Sequence, residues 1–195
     1  MMADVEVVED PGQAADIVSR VMGRYHGYYA RAAVERLKGS VGLVARLAGE
    51  EAGAIICYRA GSRVELGVIY YVVVLPRARG RGLGKMLVSS CEERLGALHF
   101  YVATIELRNT ASARMFQSLG YRVMADYELA EIVGWEAVAA VHHATCSYEE
   151  DLIAIKEGRE GVGLEILSEA EPDDYRDVWW EICYKPWMER KYRLA

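Results

Sequence analysis

Val72-Val73-Val74-Leu75-Pro76-Arg77-Ala78-Arg79-Gly80-Arg81-Gly82-Leu83-Gly84-Lys85 is the stretch that decides the reading of this chain. Ile69 to Leu75 is apolar on both faces, as a central strand covered on both sides should be. Pro76 ends that strand. A turn with three glycines in five residues comes next. It leads into Lys85 to Leu95, where Met86, Leu87, Cys91 and Leu95 form one helical stripe. Strand, turn and helix start together aim several backbone N–H groups at one point, and the helix N-terminus adds partial positive charge there. The glycines let a ligand come close to the backbone. Arg79 and Arg81 add cationic donors. The ligand this geometry implies is a phosphate or a pyrophosphate.

Two common phosphate motifs do not fit. A P-loop needs Gly-x-x-x-x-Gly-Lys-Ser/Thr, but Arg79 stands in place of the first Gly and Met86 in place of the hydroxyl. A dinucleotide fingerprint needs Gly-x-Gly-x-x-Gly, but Lys85 occupies the last position. What remains is Arg-x-x-Gly-x-Gly between a buried strand and a helix.

With Val-Leu-Pro before it, that motif resembles the GNAT superfamily of N-acetyltransferases. A second stretch, Asn109-Thr110-Ala111-Ser112-Ala113-Arg114-Met115-Phe116-Gln117-Ser118-Leu119-Gly120-Tyr121, is similar to another pattern of that family, with Asn109, Ser112, Phe116, Gly120 and Tyr121 in register. Asn109 is the chain's only Asn. It is a good helix N-cap, and on the resemblance it also faces the cofactor. The resemblance covers about Asp4 to Ile132. It implies acetyl-CoA, or a close acyl-CoA, as cosubstrate. Val72, Val73 and Val74 would then hold the pantetheine arm and acyl carbonyl. Arg79, Gly80, Arg81, Gly82, Leu83, Gly84 and Lys85 would hold the pyrophosphate, and Asn109, Ser112 and Phe116 would complete the cofactor site.

The family's usual catalytic groups are missing. Phe116 stands where many members carry a Tyr that protonates the thiolate. Thr104 stands where some carry a Glu base. Glu65, early on the long strand, is the candidate base, with Glu106 as another. Tyr70, Tyr71, Tyr101 and Tyr127 are candidate thiolate donors. The expected reaction is direct attack by an amine of a small molecule or protein on acetyl-CoA. The alternative is a CoA-binding regulatory or interaction module that has lost catalysis.

Working outward, Val5 to Val8 reads as a strand, and Ala14 to Met22 and Tyr28 to Leu37 as helices. Val41 to Leu47 and Ala52 to Arg59 form a hairpin across Ala48-Gly49-Glu50-Glu51. The long strand runs from Val64 to Leu75. Leu98 to Leu107 is a strand, and Thr110 to Leu119 a helix. Tyr121 to Ile132 and Trp135 to Ala144 read as strands. Ser147-Tyr148-Glu149-Glu150 has the form of a capping box and predicts a helix from Tyr148 to Glu157. Leu164 to Leu167 reads as a strand and Asp174 to Cys183 as an aromatic helix. This pair echoes the chain's opening strand and helix, which suggests a partial internal repeat. The expected fold is α/β in the α+β sense: a mixed, mostly antiparallel central sheet with a splayed central pair, flanked by helices. Residues 1–145 form the acyl-CoA-binding domain. Residues 146–195 form a C-terminal extension, rich in Trp and Tyr, through which a homodimer is possible.

Bulk properties narrow the partners. The 195 residues carry a net charge of −6, which argues against a nucleic-acid partner. No apolar run reaches the length of a membrane span, and the acidic N-terminus lacks signal-peptide character. Cytoplasmic residence is therefore expected, with four reduced thiols at Cys57, Cys91, Cys146 and Cys183. His142, His143 and Cys146 lack a fourth ligand, so no metal is expected.

Overall fold

Each opening element is dictated locally. The Asp10 side chain accepts the Gln13 N–H at 2.8 Å, and Pro11, which has no N–H to waste, takes the first helical position. The computed structural model describes residues 5–147 and 151–193. Among these, seven strands form one sheet in the order β1-β2-β3-β4-β5-β7-β6. They are β1 (Val5–Glu9), β2 (Val41–Leu47), β3 (Glu50–Ala60), β4 (Leu66–Val74), β5 (Phe100–Glu106), β6 (Arg122–Met124) and β7 (Asp151–Glu157). β1–β2, β2–β3, β5–β7 and β6–β7 are antiparallel. β4 pairs with β5 in parallel over three residues, from Leu66–Phe100 to Val68–Val102. The expected mixed, mostly antiparallel sheet flanked by helices is what the chain forms.

The chain divides into two compact units. The first takes residues 5–58, 69–96 and 185–193 of those described. It contains β1, β2, most of β3 and of β4, and the helices α1 (Pro11–Met22), α2 (Arg24–Arg36) and α3 (Leu83–Leu95). α1 buries Ala14, Ala15, Ile17 and Val18 and packs on α2 and β2, while α3 packs on β2. The thiol expectation fails here. Cys57 of β3 and Cys91 of α3, both fully buried, form a disulfide.

The second unit takes residues 59–68, 97–147 and 151–184 of those described. It contains the start of β4, β5 to β7, and the helices α4 (Thr110–Ser118), α5 (Asp126–Val133), α6 (Trp135–Thr145) and α7 (Arg176–Trp179). A second disulfide, Cys146–Cys183, removes the other two expected thiols.

Four sequence expectations are corrected in this unit. The strands expected at Tyr121 to Ile132 and Trp135 to Ala144 are the short β6 followed by α5 and α6. Glu128 accepts the Ala125 N–H at 2.7 Å, Gly134 separates the two helices at φ 87°, and Ala137, Val138, Ala140, Val141 and Ala144 bury one face of α6. The helix expected at Tyr148 to Glu157 is β7, held between β5 and β6; residues 148–150 lie outside the described residues. Ser147 does not cap that stretch. Its hydroxyl lies 2.5 Å from His142 Nδ1 and accepts from Thr145 at 2.9 Å. His142 Nε2 in turn meets Asp126 at 2.8 Å. The strand expected at Leu164 to Leu167 is a 3₁₀ helix, Leu164–Glu169, which buries Leu164 and Leu167. Another 3₁₀ turn, Pro172–Tyr175, then α7, then a π-helical stretch, Trp180–Tyr184, follow. Residues 164–183 thus contain no strand, and the proposed repeat of the opening strand–helix unit does not exist.

A last helix, α8 (Lys185–Arg193), belongs to the first unit and packs on α2. No described helix is long and apolar enough to cross a membrane.

Candidate acyl-CoA site

The turn after β4 is anchored at both ends. Leu75 N–H donates to Ala52 O at 2.9 Å, and Pro76–Ala78 makes one 3₁₀ turn. Ala78 and Leu83 are buried against Ala52, with Val5, Leu47 and Val74 packed around them. Between these anchors Gly80 and Gly82 both lie at positive φ, 75° and 76°, a conformation other residues take only under strain. Gly82 is the N-cap of α3. The first backbone bond there is Met86 N–H to Gly82 O, so the N–H groups of Leu83, Gly84 and Lys85 have no intrahelical acceptor. An anion is the natural partner for them.

The four basic side chains of the turn divide into two pairs. Arg77 is committed to the protein: it meets Glu50 at 3.0 Å and Glu51 O at 3.1 Å. Arg79 donates from Nε to Val74 O at 3.2 Å, tying the turn back to the strand end. Arg81 and Lys85 are exposed and have no ion-pair partner among the described residues. They are the cations left for a diphosphate.

β4 leads into this turn. Val73 is buried, and Val72 and Val74 are half-buried. β3 comes so close that a Cβ on Gly53 would lie 2.6 Å from Val73 O. The rings of Tyr70 and Tyr71, neighbours in sequence, are 4.5 Å apart. On a regular pleat adjacent side chains point to opposite faces, so the pleat is broken at this pair. Such irregularities concentrate beside functional sites. Tyr71 reaches His26 of α2: its hydroxyl oxygen lies 3.3 Å from Nδ1. Tyr25, Tyr29 and Tyr58 continue the aromatic cluster.

The second sequence motif occupies α4 as read. Asn109 Oδ1 accepts the Ser112 N–H at 3.1 Å, so the side chain is the N-cap, and its exposed amide nitrogen has no partner among the described residues. Phe116 is 2% exposed and meets Tyr121 edge to face at 4.9 Å. Its evident work is packing.

Glu65 lies one residue before β4. Its carboxylate takes Arg159 at 2.5 Å and faces His99 Nδ1 at 3.6 Å. That is an ion-pair role within the protein. Tyr101 is buried, Tyr127 is 61% exposed, and Glu106 is exposed. Cys146, weighed as a metal ligand, is in a disulfide. Sequence reading passed over His26. The available signal was the run Tyr25-His26-Gly27-Tyr28-Tyr29, which opens a helix with four aromatic rings in five residues.

Comparison with known proteins bears on the family and the fold. The family described as the acetyltransferase (GNAT) family matches residues 15–121. No curated protein matches the sequence. Among solved structures, the chain is similar to the diaminobutyrate acetyltransferase EctA of Paenibacillus lautus, solved with L-2,4-diaminobutyric acid and coenzyme A. The identity is 14%, the match covers 83% of this chain and 99% of that one, and the TM-score is 0.57. NAA60 of Arabidopsis thaliana, solved with a bisubstrate analogue, matches at 13% identity over 80% of this chain and 100% of that one, TM-score 0.56. A GNAT-family acetyltransferase of Streptococcus pneumoniae matches at 15% identity over 79% and 99%, TM-score 0.51. At such identities these likenesses establish the fold. The family match, which spans more than half of the chain and includes both the glycine turn and the Asn109 helix, establishes that the chain belongs to the GNAT acetyltransferase family.

Proposed function

We propose that this protein is an N-acetyltransferase that binds acetyl-CoA, or a close acyl-CoA, and passes the acyl group directly to an amine. The observation that carries the reading is the pair of left-handed glycines, Gly80 and Gly82, opening α3 beside Arg81 and Lys85, which have no ion-pair partner among the described residues. In this reading the pyrophosphate lies on the N–H groups of Leu83, Gly84 and Lys85. The pantetheine arm runs along Val72, Val73 and Val74. Orientation of amine and thioester, with a backbone donor at Val73 or Val74 for the developing oxyanion, supplies most of what aminolysis needs.

The Arg81→Glu/Lys85→Glu double variant tests the site without straining a glycine. Calorimetric titration with CoA should show affinity reduced at least tenfold, about 1.4 kcal/mol or more. Unchanged affinity removes the turn from the site. Tight CoA binding with no turnover of any amine would make the protein a binding module instead, a reading supported by Phe116, which has no proton to give.

A further inference from the structure

His26 of α2 and Tyr71 of β4 meet one residue before Val72. Besides the 3.3 Å contact between Nδ1 and the hydroxyl, the two rings pack edge to face at 5.8 Å and 82°. Tyr71 is hydrogen-bonded in turn to Tyr70, whose ring meets Tyr58 at 5.5 Å. A hydrogen-bonded line from His26 through Tyr71 to Tyr70 therefore begins one residue before Val72.

The protonation states along this line are set by burial. Burial pushes the hydroxyls of Tyr58 and Tyr70 well above their ordinary range, and Tyr71 adds to both shifts. Tyr70 thus keeps its proton, and the Tyr71 hydroxyl lies within hydrogen-bond reach of His26 Nδ1. Burial pulls His26 below its ordinary value of 6.5, so its ring is neutral at neutral pH. The groups around it are accounted for. On α2, the Tyr25 ring adjoins it and meets Tyr29 in turn; from β4 comes Tyr71. α8 contributes Arg190, over the Tyr25 ring at 4.2 Å, and Glu189, held by Tyr28 and Arg36. No carboxylate pairs with His26 among the described residues.

We propose that His26 accepts the proton released by the acceptor amine, with the Tyr71 hydroxyl as the relay that touches the amine. The proposal rests on acyl-CoA lying along Val72 to Val74. As the amine nitrogen bonds to the acyl carbonyl carbon, its proton passes to the Tyr71 oxygen, and Tyr71's own proton passes to His26 Nδ1. The carbon–sulfur bond then breaks, its electron pair leaving on sulfur. The proton on His26 returns through Tyr71, or through water, to the thiolate. Amine and thioester become amide and thiol, and both side chains return to their starting state. This route uses neither a Tyr at position 116 nor a Glu at position 104.

The test uses the whole protein and a fixed set of acceptors: spermidine, L-2,4-diaminobutyric acid, an aminoglycoside and a short peptide with a free N-terminus. Wild-type kcat/KM with acetyl-CoA and whichever acceptor reacts best should show an acid limb that rises with pH below 6.5, where neutral His26 forms. His26→Asn keeps an amide to hydrogen-bond Tyr71 but cannot accept a proton. It should lower kcat about 100-fold, lose that acid limb, and bind CoA as wild type does. Tyr71→Phe should lower kcat similarly, and imidazole should restore part of the activity of His26→Ala. Full kcat with the acid limb intact in His26→Asn overturns the proton route alone. Absence of CoA binding in the wild type overturns the functional reading beneath it. CoA binding without turnover of any of the four acceptors overturns the proton route as well.

Discussion

Gly53 shows how little freedom single residues have around this site. A methyl group there would meet Val73 O at 2.6 Å and Val74 Cα at 3.3 Å, closer than packed atoms tolerate. Gly53→Ala must move β3 away from β4 or twist the Val73 peptide. We expect a loss of about 1–3 kcal/mol in chemical denaturation, and weakened CoA binding beyond what lower stability explains. Unchanged stability would mean the two strands have slack that the structure does not show. At this scale the sequence was informative where chemistry is local. The glycine turn and the Asn109 cap could be read directly, because each depends on a residue type suited to its own backbone. His26 could not be read that way. Its significance comes from Tyr71, 45 positions away, and no spacing rule connects a helix residue with a strand residue at that distance.

Helices and strands were legible where period and boundary agreed. The hairpin β2–β3, the buried β4 and the α3 stripe were all of that kind. β7 was not, because Ser147 looks like a helix cap until His142 and Thr145 are seen to hold it. Short apolar runs do not distinguish strand from helix by pattern alone, which is why α5 and α6 read as strands. The alanines of α6 and the acidic first turn of α5 were the weaker signals that should have prevailed. Cysteine pairing was beyond sequence, since 34 and 37 residues separate the partners. The two bridges differ in exposure. Cys57 and Cys91 are 0% exposed, whereas Cys146 and Cys183 are half-buried. In a mild thiol reductant under native conditions, alkylation and mass spectrometry should find Cys146–Cys183 opened first. Reduction of Cys57–Cys91 should wait for local unfolding of β3 or α3. The reverse order would show that the first unit opens more readily than its burial implies.

Over the whole molecule, neither unit is a continuous piece of chain. The first is assembled from three segments, the last of them α8. Glu189 of α8 accepts the Tyr28 hydroxyl at 2.5 Å and pairs with Arg36 at 2.7 Å, which ties α8 to the second turn and the last residue of α2, the helix that carries His26. These two bonds hold the Glu189 carboxyl below its ordinary 4.5. Its stabilising contribution is therefore complete above that value and is lost as pH falls through the lowered one. Thermal melts should show Glu189→Gln less stable than wild type at pH 7, with the difference shrinking as pH falls below 4.5. A constant difference would assign the effect to shape rather than charge. The clasp also has a temporal meaning. Tyr28 and Glu189 are 161 positions apart, so a ribosome has synthesised nearly the whole of α2's surroundings before its clasp exists. At about 5–20 residues per second, α2 waits on the order of ten seconds or more for α8. Through that interval Tyr28 and Arg36 of α2 are side chains of a nascent chain still without their carboxylate.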